Sequence, residues 1–401
     1  MKPNRWIILA ALFLARSTLG YQYQSVASVS PLLVADLAIN FAEIGALIGF
    51  YSLLGIVSAL PAGLLGRRFG DTRITLLGIA MMAAGGFVMG LGNSYDTVLL
   101  GRILSGAGSV LLTVLATKIV ADWFTGREIV TALAILMNSW PVGIALGLVS
   151  QGAIAEAWGW QAVFLSTGFV CLGGVALVAL AARVRPDAAI TPAPQPPATA
   201  WRWTISRREA VLASLAGCIW ILYNSGFIMI VSFAPAMLVA RDFDIAEAGA
   251  LISIGTWVYM FAIPIGGWLS ERLQRPNVTM VGCFLLITVI VAAVPFVESV
   301  VIVFALAGLF VGIPTGTVMA LTVETVRAEN RNMGVGFYYS VHYVGLTFIP
   351  LIAGWSLDLS GSTAAPMFVG AICTALAIGV LGALRFVQSR PLPGAAAGAA
   401  N

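Results

Sequence analysis

Charge is scarce in this chain of 401 residues. Asp, Glu, Lys and Arg together make up 9% of it, against about 25% in ordinary soluble proteins. So little polar surface cannot cover a water-soluble globule. Histidine occurs once and cysteine four times, without a Cys-x-x-Cys pair. That excludes a disulfide scaffold and leaves no metal-binding cluster. Cys171, Cys218, Cys283 and Cys373 all fall in apolar runs and read as packing residues. There is no Gly-rich phosphate loop and no nucleophile–base arrangement, so an enzyme is not expected and no cofactor is called for. What is abundant is apolar: 60% of residues, with a mean hydropathy of +0.97. The apolar runs are continuous rather than alternating, which points to membrane-spanning helices and not a barrel.

One span needs about 20 residues. Twelve apolar segments are legible, near 6–33, 44–65, 73–92, 97–118, 129–154, 160–182, 210–239, 247–269, 278–297, 300–323, 333–356 and 364–385. The expectation is an all-α polytopic membrane protein with twelve transmembrane helices. Lys2–Arg5 followed by an apolar run could pass for a signal peptide, but Arg16 interrupts it and a helical stretch continues to Pro31, so it reads as the first span. With the N-terminus inside, 18 of the 21 basic residues fall in inner loops or tails and only Arg241 falls outside. The positive-inside rule then puts both termini in the cytoplasm of a cell whose inner, or plasma, membrane holds the chain. The net charge of +4 follows from those loops and does not call for nucleic acid.

The longest inner loop, 183–209, carries Pro186, Pro192, Pro194, Pro196 and Pro197 and reads as an extended linker. It separates a six-helix bundle at 1–182 from another at 210–385, followed by a tail at 386–401. The halves echo each other: Gly63-Leu-Leu-Gly-Arg-Arg68-Phe-Gly70 follows span 2, and Gly267-Trp-Leu-Ser-Glu271-Arg272 follows span 8. Two pseudo-symmetric six-helix bundles are a parallel-repeat transporter architecture.

Gly63, Arg68, Gly70 and Arg73 after span 2, and Arg102, Gly106 and Gly108 in span 4, resemble the motifs of the major facilitator superfamily, and the likeness runs along nearly the whole chain. Gly159-Trp-Gln161 opening span 6 is similar as well. Arg67 stands where the family usually has Asp, which leaves Glu271 to supply the loop carboxylate. An arginine in span 1 and Pro31-Leu-Leu33 also resemble the cyanate permease-like branch and related organic-anion carriers. The resemblance implies gating roles for Gly63, Arg68, Gly70, Arg73, Arg102, Gly106, Gly108, Glu271 and Arg272. It also implies that spans 1, 4, 7 and 10 line a cavity, with 2, 5, 8 and 11 beside them and 3, 6, 9 and 12 facing lipid. The tyrosines fit: eight of nine lie in spans 1, 2, 7, 8 and 11.

Polar groups are expensive in hydrocarbon, so they mark the aqueous path. Arg16 lies about 15 Å into span 1, near the midplane, where an arginine costs about 2.5–3.5 kcal/mol. Gly20 and Tyr23 share its face, the small glycine leaving room for the guanidinium. A fork there suits a bidentate anion; the plainer reading is an arginine tied to backbone carbonyls. Arg102 in span 4 has the same two readings. Asn138, Trp140, Asn224, Trp257 and Thr315 sit near mid-depth and could form the neutral part of a site. All 17 acids fall in loops or at span ends. Two membrane arginines without a membrane acid make a positive cavity, which attracts anions. His342, with Tyr339 beside it, is the one side chain that titrates near neutrality, at about 6.5 when unperturbed; it is a candidate for proton coupling, with a neutral, hydrogen-bonding histidine as the alternative.

Together these point to a gradient-driven secondary transporter that works by alternating access, as a monomer in the lipid bilayer. Its partners would be a small anion, organic in character, and protons if His342 couples them. An efflux carrier for neutral or amphipathic compounds, using Trp140, Trp220, Trp257 and Tyr259, remains open, as does a receptor on the same fold.

Overall fold

Proline, glycine and a few capping side chains decide where this apolar chain breaks. The computed structural model describes residues 5–124, 128–183, 205–327 and 330–390. Its helices are α1 (Arg5–Ser28), α2 (Ser30–Leu37), α3 (Phe41–Phe50), α4 (Gly55–Phe69), α5 (Asp71–Leu91), α6 (Tyr95–Trp123), α7 (Glu128–Ala181), α8 (Arg207–Val239), α9 (Ile245–Leu273), α10 (Pro276–Ala293), α11 (Val300–Glu324), α12 (Arg331–Ser360) and α13 (Ala365–Ser389). No strand occurs among the described residues. Most of the expected linker and tail lies outside them, as does the Arg67 side chain.

Among the described residues nine helices are long and apolar enough to cross a membrane. The other three of the twelve expected spans are hidden for local reasons. Span 1 is α1 plus α2: Pro31 sits in the first turn of α2, where a missing N–H costs nothing, and Arg16 and its polar neighbours lower the hydropathy. Span 2 is split by the turn at 51–54 into α3, opened by an Asn40–Glu43 capping box, and α4. Spans 5 and 6 run together as α7 and part only at Gly159, whose φ of +82° no other residue adopts cheaply.

The helices alternate in direction, giving the bundle a terminal end, where the described chain starts and stops, and a distal end. Two seams join the halves: α12 packs on α3, and α7 packs on α9. Both are backbone-to-backbone contacts between small residues. A Cβ on Gly49 would strike the Thr347 carbonyl, and one on Gly249 would strike that of Leu148.

At the distal end the seams are tied by matching hydrogen bonds. Asp358 of α12 accepts from the Phe41 and Ala42 N–H groups that open α3, at 3.0 and 2.7 Å. Glu156 of α7 accepts from the Ala246 N–H that opens α9, at 2.8 Å. A carboxylate at a helix N-terminus meets unpaired N–H groups and the positive end of the dipole. The terminal end is different. Among the described residues its ion pairs, Arg5–Glu128, Lys118–Asp71, Glu209–Arg327 and Arg385–Glu324, each stay within one half.

Candidate functional site

A cavity of about 520 Å³ lies between the halves. It is lined from α1, the turn before α4, α6, the first arm of α7, α8, α9, α11 and α12. None of its lining comes from α5, the second arm of α7, α10 or α13, which are spans 3, 6, 9 and 12. It runs from Tyr23, Ile228 and Leu346 at mid-depth down to Thr117, Leu133 and Met319 near the terminal end. That is the end where no described ion pair bridges the halves.

Eight of the ten side chains expected to bind substrate line this cavity: Arg16, Tyr23, Asn138, Trp140, Asn224, Thr315, Tyr339 and His342. Among the described residues Arg16 is the only charged one in the lining, and none of the lining is a carboxylate.

Arg16 is held by one corner. Its Nη1 donates to the Leu136 carbonyl at 3.0 Å, the Met137 carbonyl at 3.4 Å and Ser139 Oγ at 2.9 Å. Pro141 explains why a carbonyl is free. A proline has no N–H, so the carbonyl four residues back, that of Met137, receives no helix bond. Two glycines let α1 come close enough to use it: a Cβ on Gly20 would meet the Trp140 carbonyl, and one on Gly143 the Ser17 carbonyl. Gly20 was expected to leave room beside the guanidinium; it leaves room for the α7 backbone instead. All the hydrogen bonds of the guanidinium run through Nη1, and Nε, although buried, has no partner. The Nε–Nη2 edge is the one that takes a carboxylate side-on.

The aromatic residues come as two clusters. On one side Tyr23 lies 5.7 Å from Trp140 and 5.7 Å from Tyr51, ring centre to ring centre. On the other, His342 stacks on Trp220 at 3.7 Å and 13°. Trp220 stacks in turn on Tyr338 at 5.0 Å and meets Tyr339 edge-on. His342 Nδ1 and Asn138 Oδ1 have no protein partner among the described residues. Thr315 is already engaged, with Tyr223 at 3.1 Å and the Val311 carbonyl at 3.0 Å.

Two expected contacts are not brought to the cavity. Arg102 is fully buried, and all three of its nitrogens are used: Nε on the Leu47 carbonyl at 2.8 Å, Nη1 on Gln22 at 2.9 Å and Nη2 on Tyr23 at 3.2 Å. Its guanidinium also lies 4.5 Å from the Tyr51 ring centre. It ties α6 to α1 and α3 behind the cavity wall. Trp257 is two positions from Tyr259, and residues two apart face different sides of a helix; Tyr259 and Ile263 line the cavity in its place. Tyr51 and Tyr343 also line it and were not singled out. Tyr343 was within reach of the sequence, being one turn beyond Tyr339 on the same face.

The loop residues lie at the terminal end. Gly70 holds φ of +94° between α4 and α5. Arg68, Arg73, Glu271 and Arg272 are exposed, with Arg68 over Phe69 and Arg272 over Trp268. A Cβ on Gly63 would meet nothing, whereas Gly106 and Gly108 sit against the backbones of Tyr51 and Gly78. The loop carboxylate that finds a partner is Asp71, 2.6 Å from Lys118 on α6.

Comparison with known proteins agrees with this geometry. The family model of the Major Facilitator Superfamily matches twice, over residues 12–244 and 215–401. The chain belongs to the major facilitator superfamily. The hexuronate transporter of Bacillus subtilis (strain 168) is 22% identical over 98% of this chain and 96% of its own length. The citrate-proton symporter of Klebsiella pneumoniae is 26% identical, covering 86% and 82%. Several further relatives match over only about a third of their own length. Among solved structures, a bacterial homologue of the human lysosomal transporter Spinster, inward-facing and occupied, superposes with a TM-score of 0.76 at 17% identity, covering 98% of this chain and all of that one. At that identity the likeness speaks for the superfamily fold alone.

Proposed function

We propose that this member of the superfamily is a secondary transporter of a small organic anion. The observation that carries the reading is the Arg16 guanidinium: buried, anchored through Nη1, with its Nε–Nη2 edge unpaired, and the sole charge, with no carboxylate beside it, in the described lining of the cavity. In a medium of low dielectric constant such a group attracts an anion strongly and repels cations. A carboxylate on that edge makes two charge-assisted hydrogen bonds. A neutral cargo would leave the charge unpaired, which counts against the efflux reading despite the aromatic lining. The names of two relatives matched over most of their length, one for hexuronate and one for citrate with a proton, support an anionic cargo.

Alternating access follows from the two ends of the bundle. The cavity lining reaches toward the terminal end, where no described ion pair bridges the halves, and the Asp358 and Glu156 caps tie the halves at the distal end. With the positive-inside orientation, this is a state open to the cytoplasm. Exposing Arg16 to the other side requires both caps to release. His342 is the coupling group in this proposal. The side chain lines the same cavity as Arg16 and its Nδ1 has no protein partner among the described residues; a proton there and an anion at Arg16 bind with mutual help, because each offsets the charge of the other.

The test is uptake of a panel of organic anions into proteoliposomes holding wild type or Arg16→Gln. Wild type is expected to accumulate at least one anion down an imposed gradient, and Arg16→Gln to accumulate none while eluting as folded protein. Full uptake by Arg16→Gln would overturn the proposal.

A further inference from the structure

We infer that the cargo is an aromatic monocarboxylate. The inference rests on the anion reading of Arg16 and narrows it through three features of the same cavity.

The first is the charge count. Arg16 is the one cation of the described lining, and its Nε–Nη2 edge, which has no protein partner, matches a single carboxylate. A second or third carboxylate on the same molecule would find no further cation in the described lining to face, and a charge left unpaired once the cavity closes is strongly disfavoured. The histidine supplies at most one further positive charge, and only by taking up a proton.

The second feature is the kind of polar group on offer. A sugar acid brings several aliphatic hydroxyls, each needing a partner once out of water. Of the five Ser and Thr side chains in the lining, three donate to their own helices: Ser109 to the Gly106 carbonyl at 2.8 Å, Thr117 to Thr113 at 2.7 Å, and Thr315 to Val311 at 3.0 Å. Most polar groups without a partner are carried on rings, those of Tyr23, Tyr51 and His342, with Asn138 Oδ1 beside them; they serve a ligand with one or two hydroxyls better than one with many.

The third feature is the rings of the lining. Each half contributes an aromatic cluster to the same cavity, Tyr23 with Trp140 from α1 and α7, and Trp220 with His342 from α8 and α12. Ring faces and edges favour another ring over an aliphatic group of equal size, by about threefold to tenfold per contact. A ring attached to a single carboxylate uses the cation and both clusters at once. Such a ligand touches both halves, so its binding is tied to how the halves sit together.

The experiment measures binding of four ligands to the purified full chain by calorimetry: phenylacetate, cyclohexylacetate (similar in size but without a π face), glucuronate and citrate. Each is titrated into wild type, Arg16→Gln and Trp220→Leu. Phenylacetate is expected to bind wild type about threefold to tenfold more tightly than cyclohexylacetate, and glucuronate and citrate more weakly still. Arg16→Gln should lose all four, and Trp220→Leu should weaken phenylacetate while leaving cyclohexylacetate nearly unchanged. If glucuronate or citrate binds best and depends on Arg16, the aromatic class is overturned and the anion reading stands. Equal binding of phenylacetate and cyclohexylacetate overturns the aromatic class in the same way. If no anion binds in a way that depends on Arg16, both fall. Should Trp220→Leu fail to fold, the ligand series on wild type decides alone.

Discussion

Arg16 and Arg102 are of one residue type at similar burial, 7% and 0% exposed, in helices that touch. Their surroundings separate them. Each of the three nitrogens of Arg102 donates to a backbone carbonyl, on α3 and α1, and the Tyr51 ring lies against its guanidinium. Arg16 spends only Nη1 on protein and keeps Nε unpaired beside a cavity. A saturated buried arginine is a tie between helices, and its charge is already solvated by carbonyl dipoles. An unsaturated one at the edge of a cavity has interaction energy left over for a ligand. Burial and charge alone do not distinguish the two; the count of used donors does.

The largest effect should come from breaking the saturated partner. Arg102→Gln removes three charge-assisted hydrogen bonds and a cation–π contact, leaving carbonyls of Leu47, Gln22 and Tyr23 facing a smaller amide. The expected loss is about 3 kcal/mol or more of stability, seen as a lowered melting temperature and a smaller folded peak on size exclusion, without any ligand. An unchanged melting temperature would show that the tie is not structural. Arg16→Gln is expected to do the reverse. It should keep its melting temperature within a few degrees and lose anion affinity by about 100-fold, since a bidentate charge-assisted pair contributes roughly 3 kcal/mol. Arg16→Lys should rescue little, because an ammonium has no planar fork. If Arg16→Gln destabilises as much as Arg102→Gln, the distinction between the two arginines fails.

The sequence shows this distinction only in part. That both arginines sit inside spans is plain from the hydropathy, and so is the absence of any acid beside them. The set of cavity-lining helices follows from the family resemblance and from where the tyrosines fall. The saturation of Arg102 is not legible, because its three carbonyl partners belong to residues 55 to 80 positions away, and every residue has a carbonyl. The side on which Trp257 falls was a matter of register: the α9 face that meets the cavity runs through Tyr259 and Ile263. Gly20 is a case where the face was right and the reason wrong. A small residue beside a buried charge suggests space for a ligand, but it serves helix approach. The break of span 2 at 51–54 has no proline to announce it; it places Gly55 under the Tyr343 ring, across the halves.

Pro141 offers a finer way to sharpen the comparison, because it bears on Arg16 without touching the cation. Pro141→Ala restores an N–H at position 141, and the Met137 carbonyl then has a helix partner to choose over Nη1. One of the three anchors of the guanidinium weakens, and its free edge is held less well for a ligand. Anion affinity is expected to fall by about tenfold, with the melting temperature unchanged or slightly raised, since proline disfavours a helix interior. The second substitution Gly143→Ala should act through the same interface but lower the melting temperature, because its Cβ meets the Ser17 backbone. Calorimetry and thermal unfolding on the two variants separate loss of positioning from loss of packing. If Pro141→Ala binds anions as wild type does, the freed carbonyl plays no part in orienting Arg16.

His342 extends the comparison to a third buried polar group, and gives the smallest expected effect. Like Arg16 it keeps a nitrogen without a protein partner, and unlike Arg102 it is held by stacking on Trp220 and not by donors. Open groups should report on function and saturated ones on stability, so His342→Gln should fold normally. In wild type, uptake driven by a proton gradient requires the imidazole to gain and lose its proton in each cycle. Uptake should therefore fall as the external pH is raised from about 5.5 to 8 against a fixed interior, because the inward proton gradient that drives the cycle shrinks. In His342→Gln the glutamine keeps a hydrogen-bonding group but cannot carry the proton, so uptake should become flat across that range while counterflow exchange of the same anion persists. Counterflow needs only the cargo site, and its survival would show that the anion site at Arg16 and the proton site are separate groups in one cavity. A pH profile unchanged by the substitution would leave His342 as a stacking partner of Trp220 and move coupling elsewhere.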